Sequence, residues 1–382
     1  MIKIFKMSLA GLLFSVATIS SAGMITPNPT APSIAGTAHI LQDYDSGHIL
    51  MSENADERLP PASITKLMTS YVVSQEIHDG NIKLDDEVLI SEKAWRMIGS
   101  RSFIEVNTKV TVEALLRGMI VQSGNDAAVA LAEHVAGSEE VFAQMMNQYA
   151  QKLGMVNTNY QNATGLPGPE HYTTAHDIAI LSAALIRDFP EHYKWYAEKE
   201  YTYNGITQHN RNKLLWRDNT VDGLKTGHTE EAGYCLSASA KRDGMRLIAV
   251  VLGTASENAR AQEIQKMFNF GFRFFETHQL YAADETITQT KVWKGQTDQL
   301  NLGLAKPLSI TVPRGRYKDL QASTNIKQPV VAPVAKGTEL GEVEIRLGDE
   351  VVASRMLVAV DDVEQGSWWR RILDSLLMLI WG

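Results

Sequence analysis

Two hairpin signals, one on each side of a helix-rich stretch, constrain the fold of this chain more than any other feature. Asp43-Tyr44-Asp45-Ser46-Gly47 separates strand-forming residues 37–41 from 48–51. Lys241-Arg242-Asp243-Gly244 does the same between 234–240 and 246–252. Between them lie helical patterns: Leu67, Met68, Tyr71, Val72 and Ile77 up to a stop at Asp79-Gly80, then 113–121, 127–135, 138–154 and 174–185. A further helix is expected at 256–275. With strands first, helices in the middle and strands last, the two ends must meet in one antiparallel sheet with helices packed on it. From Thr277 the texture changes to short β-rich runs, such as 308–312 and 351–360, alternating with Pro/Gly turns. That predicts a small β domain ending near Asp362. The expected organisation is an α/β (α+β) domain over 37–276, a β domain over 277–362 and a terminal segment over 363–382.

Composition narrows the function classes. At 382 residues there is ample chain for one large core plus a smaller domain, and 44% hydrophobic with 21% charged residues is ordinary for a globular protein. A net charge of −8, with no Lys/Arg block, argues against a nucleic-acid partner. The single cysteine, Cys235, excludes internal disulfides and Cys-rich metal sites, and its apolar strand setting makes it a small buried hydrophobe. Neither a metal nor a cofactor is expected. Residues 1–22 read as an export signal: Lys3 and Lys6, an apolar run over 7–19, then Ser20-Ser21-Ala22. The run is too short for a comfortable membrane span, so a mature tail over 23–36 and work outside the cytoplasm are expected.

Chemistry concentrates in three short motifs. Ser63-Ile64-Thr65-Lys66 follows Pro60-Pro61-Ala62 at the head of the first helical pattern. A serine in a helix's first turn sits near unpaired N–H groups, and Lys66 follows one turn later on nearly the same face, close enough to take its proton. A serine hydroxyl needs such a base before it is a useful nucleophile. Alone the motif means little, since about one or two Ser-x-x-Lys matches are expected by chance in such a chain. Lys225-Thr226-Gly227, followed by His228, is rarer, arising by chance in about one chain in ten. It lies among strand-forming residues, so Lys225 and Thr226 can project from a sheet edge. Ser-x-Asn occurs at Ser52, Ser256 and Ser323 as well, but only Ser123-Gly124-Asn125 lies between the other two motifs and joins helix to helix.

In this order the trio resembles the serine acyl-transferases that include penicillin-binding proteins and class A β-lactamases. More closely, 61–66, Ser123-Gly124-Asn125-Asp126 and 222–229 resemble the low-molecular-mass D-alanyl-D-alanine carboxypeptidases, as do His209-Asn210-Arg211-Asn212 and 271–276. The resemblance implies an α/β transpeptidase-like fold and a peptidase of peptidoglycan stem peptides that β-lactams acylate. It implies Ser63 as nucleophile, Lys66 as its base, Ser123 as proton carrier to the leaving amine and Asn125 as holder of the substrate amide. The N–H groups of Ser63 and His228 would form the oxyanion hole. Lys225 and Thr226, with the adjoining Gly227, would receive the substrate's terminal carboxylate, flanked by Arg211 and Arg260. Thr164 departs from relatives that carry a histidine in the loop 162–173, which is either a rim of the cleft or a mere connector. Rival readings are a β-lactamase, against which Gly124 replaces the aspartate of Ser-Asp-Asn; an endopeptidase, whose resembling members lack the second domain; and a wall-associated scaffold with a vestigial site.

At the C-terminus, Trp368, Trp369, Ile372, Leu373, Leu376, Leu377, Ile380 and Trp381 fall in pairs four apart, with Arg370, Arg371, Asp374 and Ser375 between them. That is a helix with a wide apolar face and a narrow polar one. It is too short to span a bilayer, so residues 366–382 are expected to lie along the inner-membrane surface on the periplasmic side. Gly366 and the acidic Asp361-Asp362 suggest a detached segment; the alternative is a helix packed on the β domain.

Overall fold

The structure, a computed structural model, describes residues 30–381. The expected export signal and most of the tail lie outside the described residues. Strands β1 (Ala38–Asp43) and β2 (Ile49–Glu53) form the first hairpin. Helices α1 (Lys66–His78), α2 (Val112–Gln122), α3 (Asn125–Ala136), α4 (Glu139–Leu153) and α5 (Ala175–Asp188) follow. The chain then returns to the sheet as β3 (Val221–Thr229), β4 (Gly233–Arg242) and β5 (Met245–Thr254), and α6 (Glu257–Phe274) closes the region. Polar caps mark the helix starts: Ser138, Thr174 and Ser256 each accept a backbone N–H of the first turn, worth about 1 kcal/mol apiece.

The ends of this region meet as the strand pattern requires. Sheet order is β2-β1-β5-β4-β3, all antiparallel, with Ile40 opposite Val250, Val250 opposite Ser237 and Ser237 opposite Lys225. Both faces are buried. Along β5, Leu247, Ala249 and Val251 join the core containing Ile264, Met267 and Phe268 of α6, while Ile248, Val250 and Leu252 join that of the central helices. A run apolar on both faces is therefore a strand between two helical layers. Phe268 is fully buried, and truncating such a ring to alanine costs about 3–5 kcal/mol.

Out of α6 the chain runs directly into β6 (Phe275–Tyr281), followed by β7 (Thr288–Trp293), β8 (Gln299–Gly303), β9 (Leu308–Pro313), β10 (Leu320–Ile326), β11 (Val330–Val331), β12 (Glu339–Leu347) and β13 (Glu350–Ala359). Six of them form a sheet in the order β10-β12-β13-β8-β7-β11, and β6 pairs with β9. This β region has its own apolar core, including Leu300, Leu302, Val343 and Leu357. It is pinned to the first hairpin: Thr277 Oγ1 donates to Asp43 Oδ2 at 2.7 Å, and the hydroxyls of Ser46 and Thr311 lie 2.6 Å apart.

Two local expectations change. Ser63 is not in the first turn of an α-helix: residues Ala62–Thr65 form a 3₁₀ turn and the helix proper begins at Lys66. The terminal helix α7 (Trp368–Trp381) is not detached. Its polar side is tied to the β region. Asp374 accepts the Lys294 N–H at 2.5 Å, Arg370 pairs with Asp298, and the Gly366 N–H donates to Lys294 O at 2.8 Å. Gly366 is a point of close approach, since a Cβ there would lie 2.5 Å from Gly295 O.

Candidate active site

The 3₁₀ turn decides the geometry at Ser63. In that conformation side chains three apart eclipse, so Lys66 stands directly beside the serine, with Nζ 3.0 Å from Oγ. Glycines on both sides allow the turn to be gripped. A Cβ on Gly227 of β3 would meet Pro61 O at 2.9 Å and Ile64 Cγ1 at 3.1 Å. On Gly165, whose φ is +84°, it would fall 1.8 Å from Ala62 O. No larger residue fits there without moving the nucleophile.

Lys66 is buried and makes two further contacts, to Asn125 Oδ1 at 2.7 Å and Thr164 O at 2.6 Å. Burial, reinforced by the Arg211 charge, pulls its pKa down to about 7, against the weaker opposing pull of Asp126 and Glu139. Lys225, level with Ser237 on the edge strand β3, is also buried; desolvation first, then the charges of Lys66, Arg211 and Arg260, hold its pKa well below the usual lysine range.

Ser123 ends α2 in the left-handed region, φ +68°, and its buried Oγ has no hydrogen-bond partner among the described residues. Asn125 is held by its own amide: Nδ2 donates to Ile98 O at 2.6 Å and the backbone N–H to Ser100 O at 2.7 Å. Behind it the Asp126 carboxylate accepts the Ser102 N–H at 2.8 and 3.0 Å. This packing explains Gly124. A Cβ there would lie 2.1 Å from Ser102 Oγ and 2.7 Å from Asp126 Oδ1, leaving no room for the aspartate of a Ser-Asp-Asn motif.

Ser63, Ser123, Asn125, Arg211, Thr226, Gly227, His228 and Arg260 all line one cleft of about 380 Å³. Arg211 is aimed by its neighbours: Asn212 Nδ2 donates to Gly223 O and Asn210 Nδ2 to Glu198 O, both at 3.0 Å. Arg260 is buried, donates to Gly227 O at 3.1 Å and lies over the Tyr234 ring, on which His228 also stacks. The Arg211 and Arg260 guanidiniums thus line the cleft beside the buried lysines, and among the described residues the one carboxylate on its wall, Glu257, pairs with Lys213 at 2.9 Å. Such a cleft suits an anionic group on the ligand. Among the described residues no His, Cys, Asp or Glu cluster suited to a metal is found.

The loop 162–173 is a wall of this cleft. Thr164, Gly165 and Leu166 line it, and the Thr164 carbonyl holds Lys66. Sequence reasoning singled out the loop and the Thr164 side chain but not that carbonyl, because a main-chain oxygen carries no residue signature. Glu257 was also missed; its only signal is its position in the first turn of the helix that carries Arg260.

A serine with a buried lysine base, facing a cationic pocket on a five-stranded sheet, is the arrangement of a serine acyl-transferase. Residues 25–256 match the D-alanyl-D-alanine carboxypeptidase family and residues 275–365 the C-terminal domain of penicillin-binding protein 5. The chain belongs to the D-alanyl-D-alanine carboxypeptidase family. It is 45% identical over 356 residues to D-alanyl-D-alanine carboxypeptidase DacC of Escherichia coli strain K12, covering 91% of this chain and 89% of that one. The fold is similar to that of penicillin-binding protein 5 from Haemophilus influenzae, with TM-score 0.85 and 43% identity, covering 88% of this chain and all (100%) of that one. It is also similar to penicillin-binding protein D2 of Listeria monocytogenes in its ampicillin-bound form, with TM-score 0.59 and 30% identity over 64% of this chain and 100% of that one.

Proposed function

We propose that the chain is a serine D-alanyl-D-alanine carboxypeptidase that works through an acyl-enzyme on Ser63. The observation that carries this is the hydrogen-bond set of Lys66. A neutral amine has two N–H bonds and one lone pair. Asn125 Oδ1 and Thr164 O take the two N–H bonds, so the lone pair is left for the Ser63 hydroxyl at 3.0 Å. The depressed pKa makes that neutral form accessible near neutral pH.

In acylation Ser63 Oγ attacks the carbonyl carbon of the penultimate D-alanine and its proton passes to Lys66. The tetrahedral oxyanion lies against the N–H groups of Ser63 and His228. As the C–N bond breaks, Ser123 relays a proton to the departing amine of terminal D-alanine; its unpaired Oγ is free to do so. Water then cleaves the ester and regenerates Ser63. Thr226, Lys225 and Arg260, with Arg211 at the rim, bind the terminal carboxylate, and Asn125 bonds the substrate amide. β-Lactams acylate the same serine. The packing of Gly124 against Ser102 and Asp126 disfavours the β-lactamase reading.

Purified protein incubated with a muropeptide carrying a pentapeptide stem is expected to release free D-alanine; no release from protein with an intact Ser63 overturns the reading.

The enzyme is expected in the periplasm, seated on the inner membrane by α7. Fourteen residues of helix reach about 21 Å, short of a hydrocarbon core of about 30 Å, and no helix among the described residues is long and apolar enough to cross a membrane. Trp368, Trp369, Leu373 and Leu376 are exposed on one side while Asp374 and Arg370 bind the β region on the other. That orientation suits an interfacial helix that holds the β region, and through it the cleft, at a set distance from the lipid.

A further inference from the structure

His171 lies in no motif used so far. It is buried at the base of the cleft loop, and its two ring nitrogens face different partners. Nδ1 accepts the Gln161 N–H at 3.1 Å and has the Asn162 amide nitrogen at 3.3 Å. Both neighbours are donors, so Nδ1 carries no proton. The neutral ring must therefore hold its proton on Nε2 and donate it to Thr65 Oγ1 at 2.9 Å. Thr65 sits in the 3₁₀ turn between Ser63 and Lys66.

On its other side the imidazole continues into the loop. Asn162 Oδ1 accepts the N–H groups of Thr164 at 3.1 Å and Gly165 at 2.7 Å, and its Nδ2 donates to Leu166 O at 3.0 Å. Thr164 O in turn accepts from Lys66 Nζ. The contacts close a ring: Thr65, His171, Asn162, Thr164, Lys66 and back along the chain to Thr65. Every link but the peptide bond between Lys66 and Thr65 is a hydrogen bond, and the ring contains the base of the reaction.

We propose that His171 is a positioning residue: as the neutral Nε2–H tautomer it locks the cleft loop to the nucleophile turn and so holds the Thr164 carbonyl where it orients Lys66. This rests on the carboxypeptidase reading above. Protonating the ring would place a donor at Nδ1 opposite two donors and a second cation beside Lys66. Burial, then the Lys66 charge, pull its pKa down to about 4, so the lock holds at neutral pH and opens only in acid. The Tyr160 ring packs against His171 edge-on, and Glu139 anchors the same loop by accepting the Ala163 N–H; neither supplies a counter-charge by direct contact with the imidazole.

The test measures kcat and KM for D-alanine release, and the rate of acylation by a fluorescent penicillin, on the full chain and four variants. His171→Ala and Thr65→Val each remove one end of the Nε2–H bond; each is expected to lower kcat and acylation by about 10–100-fold with KM nearly unchanged, as for a misplaced catalytic group. Losses in the double variant should be far from additive. His171→Gln restores a neutral donor towards Thr65, so it should recover most of the rate. It and the parent alike lose activity below about pH 7 as Lys66 gains a proton, and only the parent should show a further, steeper loss near pH 4. Variants that lose only thermal stability while keeping the parent kcat overturn the proposal, as does a Gln variant as slow as the Ala variant. Failure of the parent itself to release D-alanine refutes the carboxypeptidase reading instead.

Discussion

The cleft and the terminal helix break the ordinary rule of burial in opposite directions. In the cleft Lys66, Lys225 and Arg260 are nearly sealed from solvent, at 1%, 3% and 4% exposure. On α7 Trp369 and Leu373 stand 66% and 58% exposed. A buried cation and an uncovered apolar face each cost free energy in water, and each is informative where an exposed leucine or a surface lysine is not. They differ in what relieves the cost. Lys66 is satisfied inside the protein by three oxygens and by shedding its proton. Among the described residues the apolar face of α7 has no such partner, while its polar side does; the proposed membrane surface would supply one.

The largest expected effect separates the two regions by chemistry. Lys66→Ala should lower the rate of acylation by about 10²–10⁴-fold, the usual contribution of a positioned general base, without weakening vesicle binding. Unchanged penicillin acylation in this variant would remove Lys66 from the mechanism. Next comes pH. The folded pKa of Lys66 lies below its ordinary value, so the competent neutral form grows as pH rises. The acylation rate should climb through about pH 7 and flatten above it, and a rate flat from pH 5 to 8 would contradict the neutral-base assignment. Arg260→Ala should follow, lowering kcat/KM for the pentapeptide by about 10–100-fold, the worth of a charge-assisted hydrogen bond. A smaller loss on a substrate whose terminal carboxylate is amidated would tie the effect to that group; equal losses on both substrates would detach Arg260 from the carboxylate. Smallest for the chemistry is Leu373→Asp with Leu376→Asp. Sedimentation with anionic vesicles should be lost while kcat in solution is unchanged. Vesicle binding that survives the double change would assign the exposed face to another partner.

Legibility in the sequence followed how local each feature is. Ser63, Lys66, Ser123, Asn125, Lys225 and Thr226 could be read as short motifs, and the antiparallel sheet followed from strands flanking helices. The 3₁₀ turn at 62–65 was not legible, because it depends on close approach by Gly165 and Gly227 from distant segments. Nor was the Thr164 carbonyl, since any residue supplies one. Gly366, with Asp361-Asp362, read as the mark of a detached segment; the close contact with Gly295 that it permits comes from far along the chain. The apolar pairs of α7 were plain at helical spacing, but the choice of Asp374 as a clamp depended on the Lys294 N–H.

The central claim is that Ser63 is the nucleophile and that the buried lysine beside it makes it so. Mass spectrometry of peptides from the penicillin-labelled protein tests this most directly. A single penicilloyl adduct on the peptide containing Ser63, absent after Ser63→Ala, is the predicted result. An adduct on any other residue, or one that persists in the Ser63→Ala protein, would contradict it.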